Sequence, residues 1–435
     1  MKIVLYFKQA WQLLKQNRLF SAIYILGTGL SIAMTMTLVI LYYVKMAPVY
    51  PEGNRNRTLV TKSMALHMRH VKQQMSSSLS YQSVRDYFYS QRAAEAVTAI
   101  PSRYVNESVE LPDNRGTQPV QTKAVDAAFW KVFTFSFLSG KPFSESDFKS
   151  AIRTAVLSKS MARTLFGEEE AVGRSFQMEG ADYRVCGVVQ DVSFITPVTY
   201  ADIWVPYSVY PEVTKMKEWA EGLLGNFEVY MLAPDANAMD ALTDNIRQDI
   251  RKLNFSQTDY LVALNGQPVP YWKSVFYKYS NVPPDWTELL KTFGTILFAL
   301  LFVPALNLAG MISSRMNHRL SELGIRKVFG ASKGVLWQQI LVENLMLTCL
   351  GGGVGLLLSY AMVYWGRNWL PMLFSQFESM LPEGVDTLLT WDMLFNPLVF
   401  GSTLAICLVL NFLSAVIPAV HALRKNIVYS LNEKR

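Results

Sequence analysis

The chain has 435 residues, 51% of them hydrophobic, with 41 Lys and Arg against 34 Asp and Glu and a formal net charge of +7. The apolar residues gather in long uncharged blocks, which excludes a single water-soluble domain. The basic residues flank those blocks, so the charge reports membrane topology and implies no nucleic-acid partner. Three cysteines, two of them inside apolar blocks, exclude a disulfide framework.

Residues 1–18 carry Lys2, Lys8, Lys15 and Arg18 with no acid, and Tyr6, Ala10, Leu13 and Leu14 recur at helical spacing. This predicts a cytoplasmic amphipathic segment on the inner membrane face. The first apolar block, 19–44, exceeds the roughly 20 residues that cross about 30 Å of hydrocarbon. It is longer than a signal-peptide core and ends in Tyr42-Tyr43-Val44-Lys45 without a small-x-small cleavage site, so it reads as a retained anchor. Gly27 and Ser31 stand at the small-x-x-x-small spacing that lets helices approach closely in lipid.

Residues 45–291 are far too many for a loop and must fold outside the membrane. Thr58 to Leu66 reads as a strand, Tyr81 to Gln91 as a helix capped by Ser80, and Ala94 to Val105 as a strand. Asn226 to Ala233 reads as a strand. A helix comes next with Met239, Leu242, Ile246, Ile250 and Leu253 on one face, then a strand at Asp259 to Leu264. Two strand-helix-strand units therefore flank an inserted module in a small α+β domain.

Within the middle section, Phe129 and Phe133 start a helical turn, and Phe135 and Phe137 continue as a strand ending at Gly140. Thr154 to Leu157 is a strand leading into a short helix closed at Gly167. Ser158, Lys159 and Ser160 resemble a Ser-Lys protease pair, but the strand-to-helix turn explains Ser158 as a cap. His67 and His70 lack a third ligand, so neither a catalytic nor a metal site is expected.

The second block, 292–312, contains Pro304 and Asn307 as bend positions, and the third, inside 334–365, contains Gly351 and Gly355 as a second small-residue pair. The fourth is 393–420. No ionisable residue is expected at mid-depth in these spans, which disfavours an ion-coupled transporter. Segments 1–18, 313–333 and 421–435 together hold thirteen basic against two acidic residues, whereas loop 366–392 holds one against four. Cytoplasmic loops carry the excess of Lys and Arg, so both termini and 313–333 face the cytoplasm.

Residues 319–344 read RLSELGIRKVFGASKGVLWQQILVEN. This stretch resembles the coupling segment of FtsX-like and MacB-type ABC transporter permeases, with Arg319, Glu322, Gly324, Arg326, Lys327, Gly330, Ala331, Gln339 and Glu343 at the matching positions. Gly330 is placed to end a short helix, and Ser332 to cap the next. AVDAAFWKVFTFSFLSGKPF, TAVLSKSMARTLFGEEEAVGRSFQMEGADYRVCGVVQDV and WVPY resemble the periplasmic core domain of the same permeases.

The resemblance implies four transmembrane helices plus a large periplasmic α+β domain between the first two. That domain would be porter-like at about 46–108 and 205–285, with a sabre-like insert at about 109–204. It further implies mechanotransmission: a separate ABC ATPase docks on Arg319, Glu322, Arg326 and Lys327, with Gly330 and Ala331 holding the turn. A second permease chain completes a homo- or heterodimer, and a periplasmic adaptor and outer-membrane channel receive the cargo. No G-x-x-x-x-G-K-[ST] motif occurs, so ATP and Mg are expected in the partner and no cofactor in this chain. Lipoprotein release, activation of a cell-wall hydrolase and an ATPase-free membrane sensor are the alternative functions.

Overall fold

A computed structural model describes residues 8, 11, 12, 15, 16, 18–102, 107–112, 116–167, 170–215, 222–277, 279–300, 302, 325, 328–370, 388–390, 393, 397–406, 408 and 409. The chain divides into two compact units. One is Tyr43–Pro284 with Pro371–Leu388; the other is Met1–Tyr42, Asp285–Leu370 and Leu389–Arg435.

The outer unit begins with β1 (Thr58–Thr61), β2 (Met64–Met68), β3 (Gln74–Leu79) and β4 (Ala96–Pro101). The expected single strand at Thr58 to Leu66 is therefore two, broken at Lys62 and Ser63. The helix after Ser80 is also shorter than its pattern suggests. It is α-helical over Tyr81–Ser83 and shifts its register into a π turn over Val84–Phe88, where the Tyr89 amide donates to the Val84 carbonyl. Ser80 caps it, its hydroxyl accepting from the Ser83 amide at 2.9 Å.

A second set comes next: β5 (Glu107–Glu110), β6 (Thr117–Val120), β7 (Thr122–Val125), β8 (Phe137–Gly140), β9 (Thr154–Ser158), β10 (Ser175–Met178), β11 (Ala181–Val189) and β12 (Ile203–Pro206). The chain then returns through β13 (Leu224–Gly225), β14 (Phe227–Leu232), the helix Ala238–Ser256, β15 (Tyr260–Ala263) and β16 (Val269–Pro270).

The strands make two sheets. The first runs β15-β2-β3-β14-β1-β16, with β4 also on β14 and β13 on β3, and every pair in it is antiparallel. The two flanking strand-helix-strand halves do not close separately. β14 of the second half lies between β1 and β4 of the first, and β15 pairs with β2. The second sheet runs β6-β5-β10-β11-β9-β12-β7, with β8 on β11; β9 with β11 and β7 with β12 are parallel. It is built from the inserted stretch, whose strands begin at Glu107 and end at Pro206.

Three apolar clusters hold this unit. The helix Ala238–Ser256 lays Met239, Leu242, Ile246 and Ile250 on the first sheet, where Phe88, Phe227 and Met231 meet them. Met161, Ala162 and Leu165 of the helix Lys159–Phe166 cover the second sheet over Leu157 and Val185. Between the sheets, Phe129, Phe133, Trp204 and Tyr230 form an aromatic cluster with Val60 and Leu232. The Phe129 and Phe133 rings stand 4.8 Å apart, and those of Phe135 and Trp204 5.3 Å apart. Phe135 thus contributes to the core although β8 begins only at Phe137.

Asp126 pins the sheets together. Its carboxylate accepts from the Thr98 and Tyr89 hydroxyls, each at 2.6 Å, and from the Ala99 and Phe129 amides at 3.0 and 2.9 Å. Burial pushes this carboxyl above its ordinary range, against the pull of those donors. Cys186 is similarly enclosed, and burial pushes its thiol up to about 12, which leaves it inert. Ser193 Oγ donates to the Leu388 carbonyl, so the end of loop 366–392 rests on the same unit as the second sheet.

The helix Arg18–Met46, which runs from the other unit into the outer one, and the helix Gly334–Trp365 are long and apolar enough to cross a membrane. Residues 286–300 are helical, as are Pro397–Ile406. The rest of the expected second and fourth spans, including Pro304, Asn307 and residues 410–420, lies outside the described residues.

Candidate functional site

The turn expected to couple to an ATPase sits at the start of the helix Lys333–Trp365. Gly330 has φ +86°, a left-handed conformation that glycine adopts without a Cβ penalty. Before it, the Phe329 amide donates to the Ile325 carbonyl at 3.0 Å, closing the last helical turn. After it, Ser332 is extended at φ −68° and ψ 153°, and its hydroxyl accepts from the Val335 amide at 3.4 Å. The chain therefore turns at Gly330-Ala331-Ser332 and enters the helix at Lys333 with no slack between. Val328 and Phe329 are strongly exposed beside this turn, at 63% and 86%. Arg319, Glu322, Gly324, Arg326 and Lys327 lie outside the described residues.

From this turn the helix Lys333–Trp365 packs on the helix Arg18–Met46 through small residues. A Cβ placed on Gly355 would stand 2.8 Å from the Gly29 carbonyl oxygen and 2.8 Å from Ile32 Cβ. One on Gly351 would meet Thr28 Cβ at 2.9 Å. The backbones thus approach until only glycine fits. On the facing helix the close residue is Gly29, whereas a Cβ on Gly27 would meet nothing within 4 Å. Gly27 and Gly29 differ by two residues, or about 200° of helix rotation, and the seam selects the second.

Ser31 sits at the margin of the seam. Its hydroxyl donates to the Leu300 carbonyl at 2.9 Å, tying in the helical residues 286–300. Gly352 faces Leu404 of the helix Pro397–Ile406, whose Cδ1 would lie 2.6 Å from an added Cβ.

Polar residues also line the seam. Ser21, Tyr24, Thr28, Ser31 and Thr35 recur at alternating spacings of three and four and are all buried. The helix Lys333–Trp365 in turn buries Gln339, Glu343, Asn344 and Thr348. Glu343 is only 4% exposed. It lies about 15 Å along the helix from Lys333 at 1.5 Å per residue. The helix is continuous through Glu343, two residues before the uncharged stretch that starts at Leu345. The alternation of polar and apolar residues at 336–348 on one helical face was the signal available in the sequence.

Elsewhere the polar sequence features resolve as structure. Ser158 caps the helix Lys159–Phe166, its hydroxyl accepting from the Met161 amide, and Ser160 donates to Asp191 at 2.7 Å. His67 lies in β2 and His70 in the exposed turn after it. Among the described residues no group of three or more His, Cys, Asp or Glu is placed to hold a metal ion.

Residues 21–249 match the family described as MacB-like periplasmic core domain, and residues 294–427 match FtsX-like permease C-terminal. The ABC transporter permease YknZ of Bacillus subtilis is 21% identical over 270 residues, covering 62% of each chain. The pyoverdine export ATP-binding/permease protein PvdT of Pseudomonas syringae pv. syringae is 25% identical, over 54% of this chain and 34% of its own. The chain thus spans less than two thirds of the length of either relative. Among solved structures, the periplasmic region of MacB from Actinobacillus actinomycetemcomitans aligns at 17% identity with a TM-score of 0.31, over 47% of this chain and 88% of its own. With more than half of its residues in the first match and the permease domain following it, the chain belongs to the family of MacB-like, FtsX-like ABC transporter permeases.

Proposed function

We propose that this chain is the permease subunit of a MacB-type complex in a bacterial inner membrane, coupling ATP hydrolysis by a separate ATPase to conformational change of the periplasmic domain. Four helices span the membrane, both termini are cytoplasmic, and a second permease chain, identical or not, completes the assembly. ATP and Mg belong to the ATPase. Work is delivered outside the membrane, to cargo leaving the periplasm through an adaptor and an outer-membrane channel. The export function in the name of one relative supports this direction.

The observation that carries the reading is the slack-free turn at Gly330 and Ser332. An ATPase docked on Arg319, Glu322, Arg326 and Lys327 would act directly on the helix Lys333–Trp365. Through Gly351 and Gly355 that helix would move the helix Arg18–Met46, which runs on into the outer unit. The experiment is a mild-detergent capture of the full chain, wild type beside Arg326→Glu with Lys327→Glu, followed by mass spectrometry. An ATP-binding subunit present with wild type and lost from the variant is the expected result. Its absence from both, under conditions that keep the permease assembly intact, would refute the reading.

A further inference from the structure

The helix Arg18–Met46 ends inside the outer unit, and its last carbonyls need donors. The Tyr43 carbonyl accepts from the Ala47 amide at 2.7 Å. The Val44 and Ala47 carbonyls both accept from Arg55, whose Nη1 lies 2.6 and 2.8 Å away. Arg55 is 3% exposed, and its Nε donates to Glu52 Oε2 at 2.8 Å. The guanidinium also lies over the Tyr271 ring, 4.6 Å from its centroid.

Glu52, 1% exposed, gathers the other chain segments. Its Oε2 accepts from the Tyr271 hydroxyl at 2.5 Å, and its Oε1 from the Thr199 hydroxyl at 2.9 Å. Thr199 precedes β12 of the second sheet, and its carbonyl accepts from Trp204 Nε1 at 3.1 Å. Tyr271 opens the short helix after β16 of the first sheet. One ion pair therefore joins the end of a spanning helix to segments from both sheets. Burial alone would drive the guanidinium down, but Glu52 and Tyr271 hold it above its ordinary value, so the charge stays in place.

A buried ion pair is a poor way to gain stability, because well-packed apolar residues commonly do as well. Here an apolar replacement would strand two carbonyls at the negative end of a helix dipole. What the pair provides is direction: five donor positions in a rigid fork fix the helix end in angle as well as position.

We infer that Arg55, seated on Glu52, is the positioning residue that locks the last turn of the first spanning helix to the outer domain, so that motion of that helix enters the domain undamped. This deepens the transmission reading and rests on it.

The test uses the full chain in lipid nanodiscs, with Cys186, Cys349 and Cys407 replaced and spin labels at Lys45→Cys and Lys131→Cys. Wild type is expected to give a narrow label-to-label distance distribution, and Arg55→Met to lose it, with the Trp204 environment and circular dichroism unchanged. Tyr271→Phe keeps the ring under the guanidinium but removes one bond to Glu52, and it is expected to broaden the distribution partway. It serves as the milder variant should Arg55→Met misfold.

The same samples are assayed with the ATPase that co-purifies with wild type. Binding should persist and stimulation by the permease should be lost in Arg55→Met. A distribution that stays narrow, or stimulation that survives a broadened one, overturns the positioning role. A narrow wild-type distribution with no ATPase captured sinks the transport reading while leaving the clamp standing.

Discussion

Replacing Gly355 by alanine adds one methyl group at the seam between the helices Arg18–Met46 and Lys333–Trp365. The new Cβ would start 2.8 Å from the Gly29 oxygen and from Ile32 Cβ, neither of which is the free end of a flexible chain. Relief to ordinary contact requires the helices to part by about 0.6 Å, a gap that forfeits a quarter to a half of each dispersion contact along the seam. Overpacking of this kind costs about 1–3 kcal/mol. Against it stands the gain of about 0.8–1 kcal/mol that alanine brings over glycine within a helix.

Gly353→Ala in the same helix is the matched control, because its Cβ would meet nothing within 4 Å. Both variants share the propensity gain, so their difference isolates the seam and should be about 1–3 kcal/mol, with Gly355→Ala the weaker. The assay is reversible unfolding of the full chain in mixed micelles, followed by tryptophan fluorescence. Gly27→Ala, which also points into open space, should behave like Gly353→Ala. If Gly355→Ala and Gly353→Ala proved equally stable to within about 0.5 kcal/mol, the ordinary tolerance of uncrowded sites, the reasoning would fail.

Removing Asp126 should loosen the outer domain. Asp126→Ala strands the Ala99 and Phe129 amides, each at about 1–3 kcal/mol, read as a lower denaturation midpoint of the outer-domain transition. The pH dependence has a definite sign. Because the folded carboxyl holds its proton above the ordinary value, the unfolded chain releases it first, so this group's contribution falls as pH rises through that window. The stability gap between wild type and Asp126→Asn should therefore shrink between acid and neutral pH, and a constant gap would contradict the assignment. In Gly330→Val the added Cβ meets nothing within 4 Å among the described residues, but a β-branched residue is forced to φ +86°, a penalty of about 1–2 kcal/mol. The substitution should abolish stimulation of the captured ATPase without moving the melting of the outer domain, whereas Gly330→Asn, which tolerates this conformation, should keep most of it.

The features legible in the sequence are those whose cause lies within a few residues. Ser80, Ser158 and Ser332 cap helices because each hydroxyl reaches an amide three positions on. Gly330 and Gly167 turn the chain because only their own φ is at issue. The helix Ala238–Ser256 declares its buried face by period alone.

What the sequence left open depends on which distant surface arrives. The two strand-helix-strand halves read as parts of one domain without a pairing order, and their strands interleave in one sheet, with β14 set between β1 and β4 across more than a hundred intervening residues. Strand patterning marks a buried face without naming the neighbouring strand. Gly27 and Gly29 both belong to small-residue spacings, and only the rotation of the helix against Gly351 and Gly355 chooses between them. Arg55 carries no local mark of burial, whereas Glu343 is marked only by the helical face it shares with Leu336, Ile340 and Leu347. A charged side chain is kept inside a protein only by partners that satisfy it, and the Arg55–Glu52 pair finds them at the end of the first helix, at Thr199 and at Tyr271, which folding brings to one point.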